Sequence, residues 1–226
     1  MPRRVALDWE RGYRLVPSRF PPRTLLDRLA RPEDLELLYA LQNQVNPRIR
    51  QQLGEISLVP VQERVVGPGA TPIMSAFCHL NPEGSRFSDG SYGVYYAADS
   101  LQAAVAEVSH HRAVFMSSTR QPPTDIDMRA YASSTVEPLH DVRPASWDSL
   151  HDPGNYLPSQ QFARGLRASG SWGIVYRSVR RPGAQCMAIF RPKAIRVPVV
   201  QTTHVTLRWN GSAIESWYEK SALHPL

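Results

Sequence analysis

An arginine in a turn (Arg86), a tyrosine on a short apolar run (Tyr96) and a glutamate beside an apolar stripe (Glu107) follow one another in the middle of this chain. Each type has a distinct chemical use. A guanidinium forks onto phosphate or carboxylate through parallel hydrogen bonds. Tyrosine offers a flat apolar ring with a polar tip, suited to stacking on a planar base. A lone carboxylate can bond a sugar hydroxyl and oppose positive charge developing on a sugar carbon. A glutamate on a helix flank is ordinarily just solvated, so Glu107 gains a role only in combination with other positions.

The elements that must position these residues are readable around them. Asp89-Gly90 signals a turn, because Gly tolerates positive φ and Asp bonds its own backbone. Val94 to Ala97 is β-branched and aromatic, which predicts a strand with Val94 and Tyr96 on one face and Tyr95 and Ala97 on the other. Asp99, with Gln102 three residues on, matches a capping box and predicts a helix start. Leu101, Ala104, Val105 and Val108 recur at helical spacing as its buried stripe, and Glu107 falls beside that stripe. Ala103, Ala104 and Ala106 leave room for close approach. Turn, strand and helix can therefore aim the three side chains at one cleft.

This stretch, Ser85 to Arg112, together with Gly12-Tyr13-Arg14 upstream and the run Gly173 to Arg180 downstream, resembles the RES domain. The family is named for an Arg, a Glu and a Ser, which here correspond to Arg14, Glu107 and Ser178. The resemblance covers roughly Gly12 to Pro192, with three separated motifs in order. It implies a fold similar to the ADP-ribosyltransferases and a toxin that consumes NAD, partnered by an Xre-type helix-turn-helix antitoxin. It also implies a pocket of Arg14, Arg86, Tyr96, Glu107 and Ser178, with Arg14, Glu107 and Ser178 catalytic and Arg14, Arg86, Tyr96 and Ser178 holding substrate. Tyr95 is a neighbouring alternative for the tyrosine, but Tyr96 has the family's spacing to Glu107. The chain departs from the pattern where many members have Trp at Phe87, a Pro-Gly turn at Ser88 to Gly93, and Pro at Arg177.

Such a set suits NAD on chemical grounds. Two arginines can hold the diphosphate, Tyr96 can stack on a base, and Ser178 can bond an amide or hydroxyl. Nicotinamide is already cationic in NAD and leaves as a neutral base, so no general acid is required. The barrier is an oxocarbenium-like sugar cation, which one placed carboxylate lowers. Water or phosphate is the expected acceptor, because Val105 stands two positions before Glu107, where arginine-directed transferases typically carry a second acid. Transfer of ADP-ribose to a protein is the alternative.

Composition narrows the remaining classes. At 226 residues with 42% apolar content, one domain spanning 1–226 is expected, with a core that needs no staples. Only Cys78 and Cys186 are present, without a CxxC pair, which fits a reduced, cytoplasmic setting. No signal peptide or membrane span is expected. The net charge is +6, and Lys193 and Lys220 are the only lysines. Scattered arginines suit an acidic small substrate or protein partner as well as nucleic acid. A basic nucleic-acid-binding module, leaning on aromatics such as Trp209 and Trp217, is the rival from another class. It lacks a reading helix or RNP motif, so direct nucleic-acid binding is not expected. His110-His111 are adjacent and assigned to different sides of a helix, and no metal-ligand spacing, Walker loop, GxGxxG or GxSxG occurs. Neither metal nor cofactor is expected beyond NAD as substrate.

The rest of the chain predicts an α+β fold of mostly antiparallel strands. Strands are expected at Tyr13 to Val16, Ile56 to Val66, Ile73 to Leu80, Ile126 to Tyr131, Trp172 to Val179, Gln185 to Phe190, Ile195 to Val200 and Val205 to Trp209. An N-terminal helical elaboration is expected over about residues 20–55, in helices from Pro22 and from Pro32 to about Val45. Pro138 to Pro158 reads as a long polar connection, of a length that tends to be functional. Ser159 to Ser169 reads as a helix capped by Gly170. Ser216 to Leu223 carries no clear signal.

Overall fold

The computed structural model describes residues 1–18, 31–33 and 54–220. The helical elaboration expected over about 20–55 lies, apart from 31–33 and 54–55, outside the described residues. What remains is α+β. Nine strands form one sheet: β1 (Arg4–Val5), β2 (Gly12–Pro17), β3 (Tyr95–Ala98), β4 (Thr124–Ser133), β5 (Leu139–Asp141), β6 (Gly173–Arg177), β7 (Gln185–Ile189), β8 (Val200–Trp209) and β9 (Ile214–Glu219). Their order is β1-β5-β6-β7-β3-β2-β4-β8-β9. Only β5 and β6 pair in parallel. Three helices accompany the sheet: α1 (Thr71–Cys78), α2 (Leu101–Ser118) and α3 (Leu157–Ala168). No helix among the described residues is long and apolar enough to cross a membrane.

The period-2 alternation of β3 sorts its side chains between two cores. Tyr95 and Ala97 pack with Ile73, Met74 and Phe77 of α1, and with Met187 and Ile189 of β7. Val94, Tyr96 and Ala98 face the other side, where Ala103, Ala104 and Val105 of α2 meet Ile174 and Tyr176 of β6. The helix stripe and the strand faces read from the sequence therefore meet as expected. Small residues on α2 let it lie close to the strands, so that Glu107 reaches them.

The sheet is not evenly knit. β2 pairs with β4 at six positions, Gly12 to Pro17, and β3 pairs with β7 at four. Between β2 and β3 the pairing is confined to Tyr13 and Ala98. The two strands part there. An unpaired strand carbonyl needs another donor, and Tyr96 O receives it from Arg14 Nη1 at 3.2 Å.

Several expectations fail for identifiable reasons. Ile56 to Val66 is not a strand but two 3-10 turns, Ile56–Leu58 and Val61–Glu63, punctuated by Pro60. Ile73 to Leu80 lies mostly in the helix α1, whose first turn holds Pro72. Its Ile73, Met74, Ala76, Phe77 and Cys78 are all buried. In so short a run the part-exposed Thr71, Pro72 and Ser75 are too few to mark a helical period. The start of α2 is displaced by one residue. Ser100, not Asp99, is the N-cap, accepting from Ala103 N at 3.3 Å. Asp99 is occupied elsewhere, accepting from Gln185 N at 2.7 Å and from Ser100 Oγ at 2.9 Å. Ile195 to Val200 contributes only an isolated bridge at Ile195 before β8 begins at Val200. The connection from Pro138 contains β5 and a 3-10 stretch, Ala145–His151. α3 begins at Leu157 with Ser169 as C-cap, and Gly170 follows at φ +79°. Of the unassigned tail, Ser216 to Glu219 belong to β9, and 221–223 lie outside the described residues. Trp209 is buried, its indole N–H donating to Gln121 O at 2.9 Å, so it offers no face for stacking bases.

Gly93 shows how tightly the central turn seats on α1. A Cβ there would lie 2.4 Å from Phe77 Cα and 2.5 Å from Ala76 O, both backbone atoms that cannot move alone. Gly93→Val is expected to lower the unfolding free energy by about 1–3 kcal/mol or more, the usual cost of overpacking. Urea unfolding of the variant beside the parent checks it, and equal midpoints would refute the tight contact.

Candidate functional site

The parting of β2 and β3 opens onto a cavity of about 280 Å³. Arg14, Arg86, Tyr96 and Glu107 line it; Ser178 does not. The structure thus brings four of the five sequence-derived residues to one wall and sets the fifth directly behind Glu107. Tyr95 faces the opposite core and is fully buried, so Tyr96 is the tyrosine at the cavity.

Arg14 projects from β2 into the split between the strands. Its guanidinium bonds Tyr96 O and stands 4.8 Å from the centre of the Tyr95 ring. Nε is buried without a partner. Burial lowers its pKa, although guanidinium stays charged at any working pH. Arg86 is 6% exposed. Its Nη1 donates to Leu150 O at 3.1 Å and Asp152 O at 2.8 Å, and the ring of Tyr156 lies 4.6 Å from its Cζ. Nη2 is buried and unpartnered. No carboxylate pairs with either arginine among the described residues. The cavity therefore has two fixed positive charges beside it.

The turn that carries Arg86 is held from several sides. Ser85 and Ser88 bond each other's backbone, at 2.7 and 3.3 Å. Gln160 of α3 donates to Ser85 O at 2.9 Å and Ser88 O at 3.2 Å, and Ser159 Oγ donates to Arg86 O at 2.6 Å. From below, the Tyr96 hydroxyl accepts from Phe87 N at 3.0 Å and meets Ser85 Oγ at 2.8 Å. Burial pushes the Tyr96 phenol well above its ordinary pKa, so it stays protonated. Its ring is thereby fixed at the cavity wall.

Glu107 owes its orientation to a small turn after β6. Ser178 Oγ accepts from Arg181 N at 3.0 Å and from Arg180 N at 3.3 Å. With its lone pairs taken, the single hydroxyl proton points to Glu107 Oε1, at 2.6 Å. Oε2 has no hydrogen-bond partner among the described residues. Cys186 Sγ lies 4.0 Å from Oε1, and burial, with Glu107 beside it, keeps that thiol protonated. Glu107 is the only acid among the described residues that line the cavity. One carboxylate oxygen is tied to the protein and the other is free toward the cavity.

Other lining residues carried no sequence signal. Tyr156, Tyr176 and His111 join the wall. Tyr156 lies at the end of the long connection whose length was the only hint. His110 and His111 are not segregated as their sequence positions suggested: their rings stand edge to face at 5.4 Å. Only His111 reaches the cavity. His110 Nε2 meets Arg180 Nη2 at 2.9 Å instead.

Comparison with known proteins places this geometry among relatives. A family model of the RES domain matches residues 62–210. The uncharacterized protein y4oC of Sinorhizobium fredii is 32% identical over 210 residues, which are 91% of this chain and 86% of that protein. Among solved structures, a chain in the crystal structure of the M. tuberculosis MbcT-MbcA toxin–antitoxin complex is similar with a TM-score of 0.42. Its sequence is 12% identical, and the match covers 57% of this chain and 74% of that one.

Tyr96→Phe keeps the ring but strands the Phe87 N–H and the Ser85 hydroxyl. The expected loss is about 1–3 kcal/mol, the cost of leaving a buried donor unmade. Chemical denaturation checks it. An unchanged midpoint would mean that the phenol does not anchor the turn.

Proposed function

The chain belongs to the RES domain family, and from that premise we propose that it breaks the nicotinamide–ribose bond of NAD as the toxin of a toxin–antitoxin pair. One observation carries the reading: among the described residues, two guanidiniums without carboxylate partners, Arg86 buried and Arg14 half-buried, share a cavity with a single acid that has one oxygen unpartnered. An extended dianion with a cationic sugar end matches that arrangement. The diphosphate answers the positive charge of Arg14 and Arg86, whose guanidiniums can fork onto its oxygens. Tyr96 and Tyr156 supply aromatic surface for the bases. Glu107, held through Oε1 by Ser178, presents Oε2 to the ribose, where it bonds a hydroxyl and opposes the oxocarbenium-like charge. Nicotinamide departs as a neutral base, so the absence of a second lining acid is no obstacle.

Water or phosphate is the proposed acceptor. The position two residues before Glu107 is Val105, 3% exposed and packed in the core, so that face of the helix cannot present a paired acid to a protein arginine. This favours breakdown of NAD over ADP-ribosyl transfer to a protein. An ADP-ribosyltransferase-like core within a single unit of 1–226 residues is part of the same reading. So is a cytoplasmic location, which suits two buried free cysteines. The proposed partner is an Xre-type helix-turn-helix antitoxin, and the net charge of +6 suits an acidic segment on it.

Purified protein incubated with NAD should release nicotinamide over time. Glu107→Gln keeps the size and loses the charge, and is expected to slow release on the order of 100-fold or more with an unchanged circular dichroism spectrum. Wild-type turnover in that variant would sink the assignment. Arg14→Lys and Arg86→Lys keep a charge without the planar fork, and each should raise KM or lower kcat. Ordinary constants in both would reduce these arginines to structural groups.

A further inference from the structure

One turn of α2 beyond Glu107, and on the same side of the helix, His111 also lines the cavity. The rest of its side chain is exposed, so it touches both the cavity and solvent. Its ring makes an edge contact with His110 but has no hydrogen-bond partner among the described residues. The groups that face it are Glu107 and His110 on its own helix, Arg180 from the turn after β6 and Arg86 from the turn before β3. Arg14, Tyr13, Tyr156 and Tyr176 line the same cavity. Partial desolvation, and after it the neighbouring His110, hold its pKa below the ordinary histidine value against the pull of Glu107. At neutral pH the imidazole is therefore uncharged. The other lining groups cannot take a proton: the arginines are cationic, and Tyr96, Tyr176 and Cys186 are already protonated. Glu107 is committed to Ser178 and to the sugar cation.

Resting on NAD cleavage as the reaction of this cavity, we infer that His111 is the general base that takes a proton from the water capturing the ribosyl cation. The bond from ribose C1′ to nicotinamide breaks and its electron pair stays on the nicotinamide nitrogen, which leaves neutral. The water oxygen forms the new bond to C1′. One water proton passes to a free ring nitrogen of His111 and from there to solvent through the exposed side of the ring. NAD and water thus give ADP-ribose, nicotinamide and one proton. The acceptor side of the site is built for a neutral molecule that must lose a proton, and an anionic acceptor gains nothing from His111.

Partition between water and azide tests this, because azide is a nucleophile with no proton to lose. NAD is incubated with the wild type, His111→Gln and His110→Gln in sodium azide, and ADP-ribose and the ribosyl azide are separated by chromatography. The expected result is a ratio of ADP-ribose to azide product at least about tenfold lower in His111→Gln. That is less than the 10²–10⁴-fold typical of general base catalysis, because a sugar cation needs little help to be captured. His110→Gln should keep the wild-type ratio. In the wild type the ratio should fall as pH is lowered below about 6.5, since a base whose pKa lies under the ordinary histidine value is lost only there, and it should stay flat in His111→Gln. Thermal melts of both variants separate misfolding from chemistry. Wild-type partition and pH profile in a folded His111→Gln would overturn the inference while leaving NAD cleavage standing. A wild type that releases no nicotinamide would overturn both.

Discussion

A guanidinium cannot give up its proton to escape burial, and this chain withdraws two from solvent beside one cavity, Arg86 buried and Arg14 half-buried, with no acid for either among the described residues. Removing such a charge from water costs several kcal/mol unless hydrogen bonds replace the solvent. The replacement here is made from main-chain oxygens. Tyr96 O serves Arg14, and Leu150 O and Asp152 O serve Arg86. Carbonyls satisfy donors without cancelling the charge. An aspartate in either place would have stabilised the free protein and removed the positive potential from the cavity. The rings of Tyr95 and Tyr156 against the two guanidiniums offset part of the cost, and the positive charge stays uncancelled.

That constraint explains features that would otherwise look incidental. β2 and β3 have to part, because Arg14 needs both the opening and an unpaired carbonyl at its rim. The connection from Pro138 to Pro158 has to be structured, because its 150–152 carbonyls hold Arg86 and Tyr156 covers the guanidinium. Arg177 N bonding His151 Nε2 at 3.2 Å ties the same connection to the end of β6, next to the turn that holds Glu107. The cationic and anionic sides of the site are thus positioned from adjacent segments, and a shift in one moves the other.

The parts of this architecture legible in the sequence were those whose residues obey one local rule. The Val94 to Ala97 alternation and the Leu101–Ala104–Val105–Val108 stripe placed Tyr96 and Glu107 correctly, since period and burial agree there. α1 reads as a strand in the sequence because it is short and five of its eight residues are buried, with only Thr71, Pro72 and Ser75 part-exposed, so Ile73 to Cys78 shows hydrophobicity with too little polar contrast to mark a period. The one-residue error at the start of α2 arose because Asp99 and Ser100 are both good caps, and a tertiary partner, Gln185 N, decided between them. Arg14 and Ser178 have no local signature. Only the resemblance of three separated motifs joined them to Glu107, as their proximity comes from long-range pairing of β2, β3, β7 and β6. Tyr156 and His111 were invisible for the same reason: what makes them part of a site is the cavity, not their neighbours in sequence.

The proton inventory around Glu107 separates the roles of two oxygens on one carboxylate. Ser178 has one proton and two occupied acceptor sites, so its bond to Oε1 cannot reverse direction while the Ser178–Arg181 turn is intact. That bond fixes the plane of the carboxylate. The oxygen left to accept a further hydrogen bond is then Oε2, which has no partner among the described residues. A second acid nearby would raise the cost of ionising both, as like charges at close range do. The neighbouring thiol and phenols avoid this by remaining protonated. Among the described lining residues the cavity thus has a single acid, held by a neutral hydroxyl, and two arginines, so the negative charge sits at one fixed point and the positive charge at two.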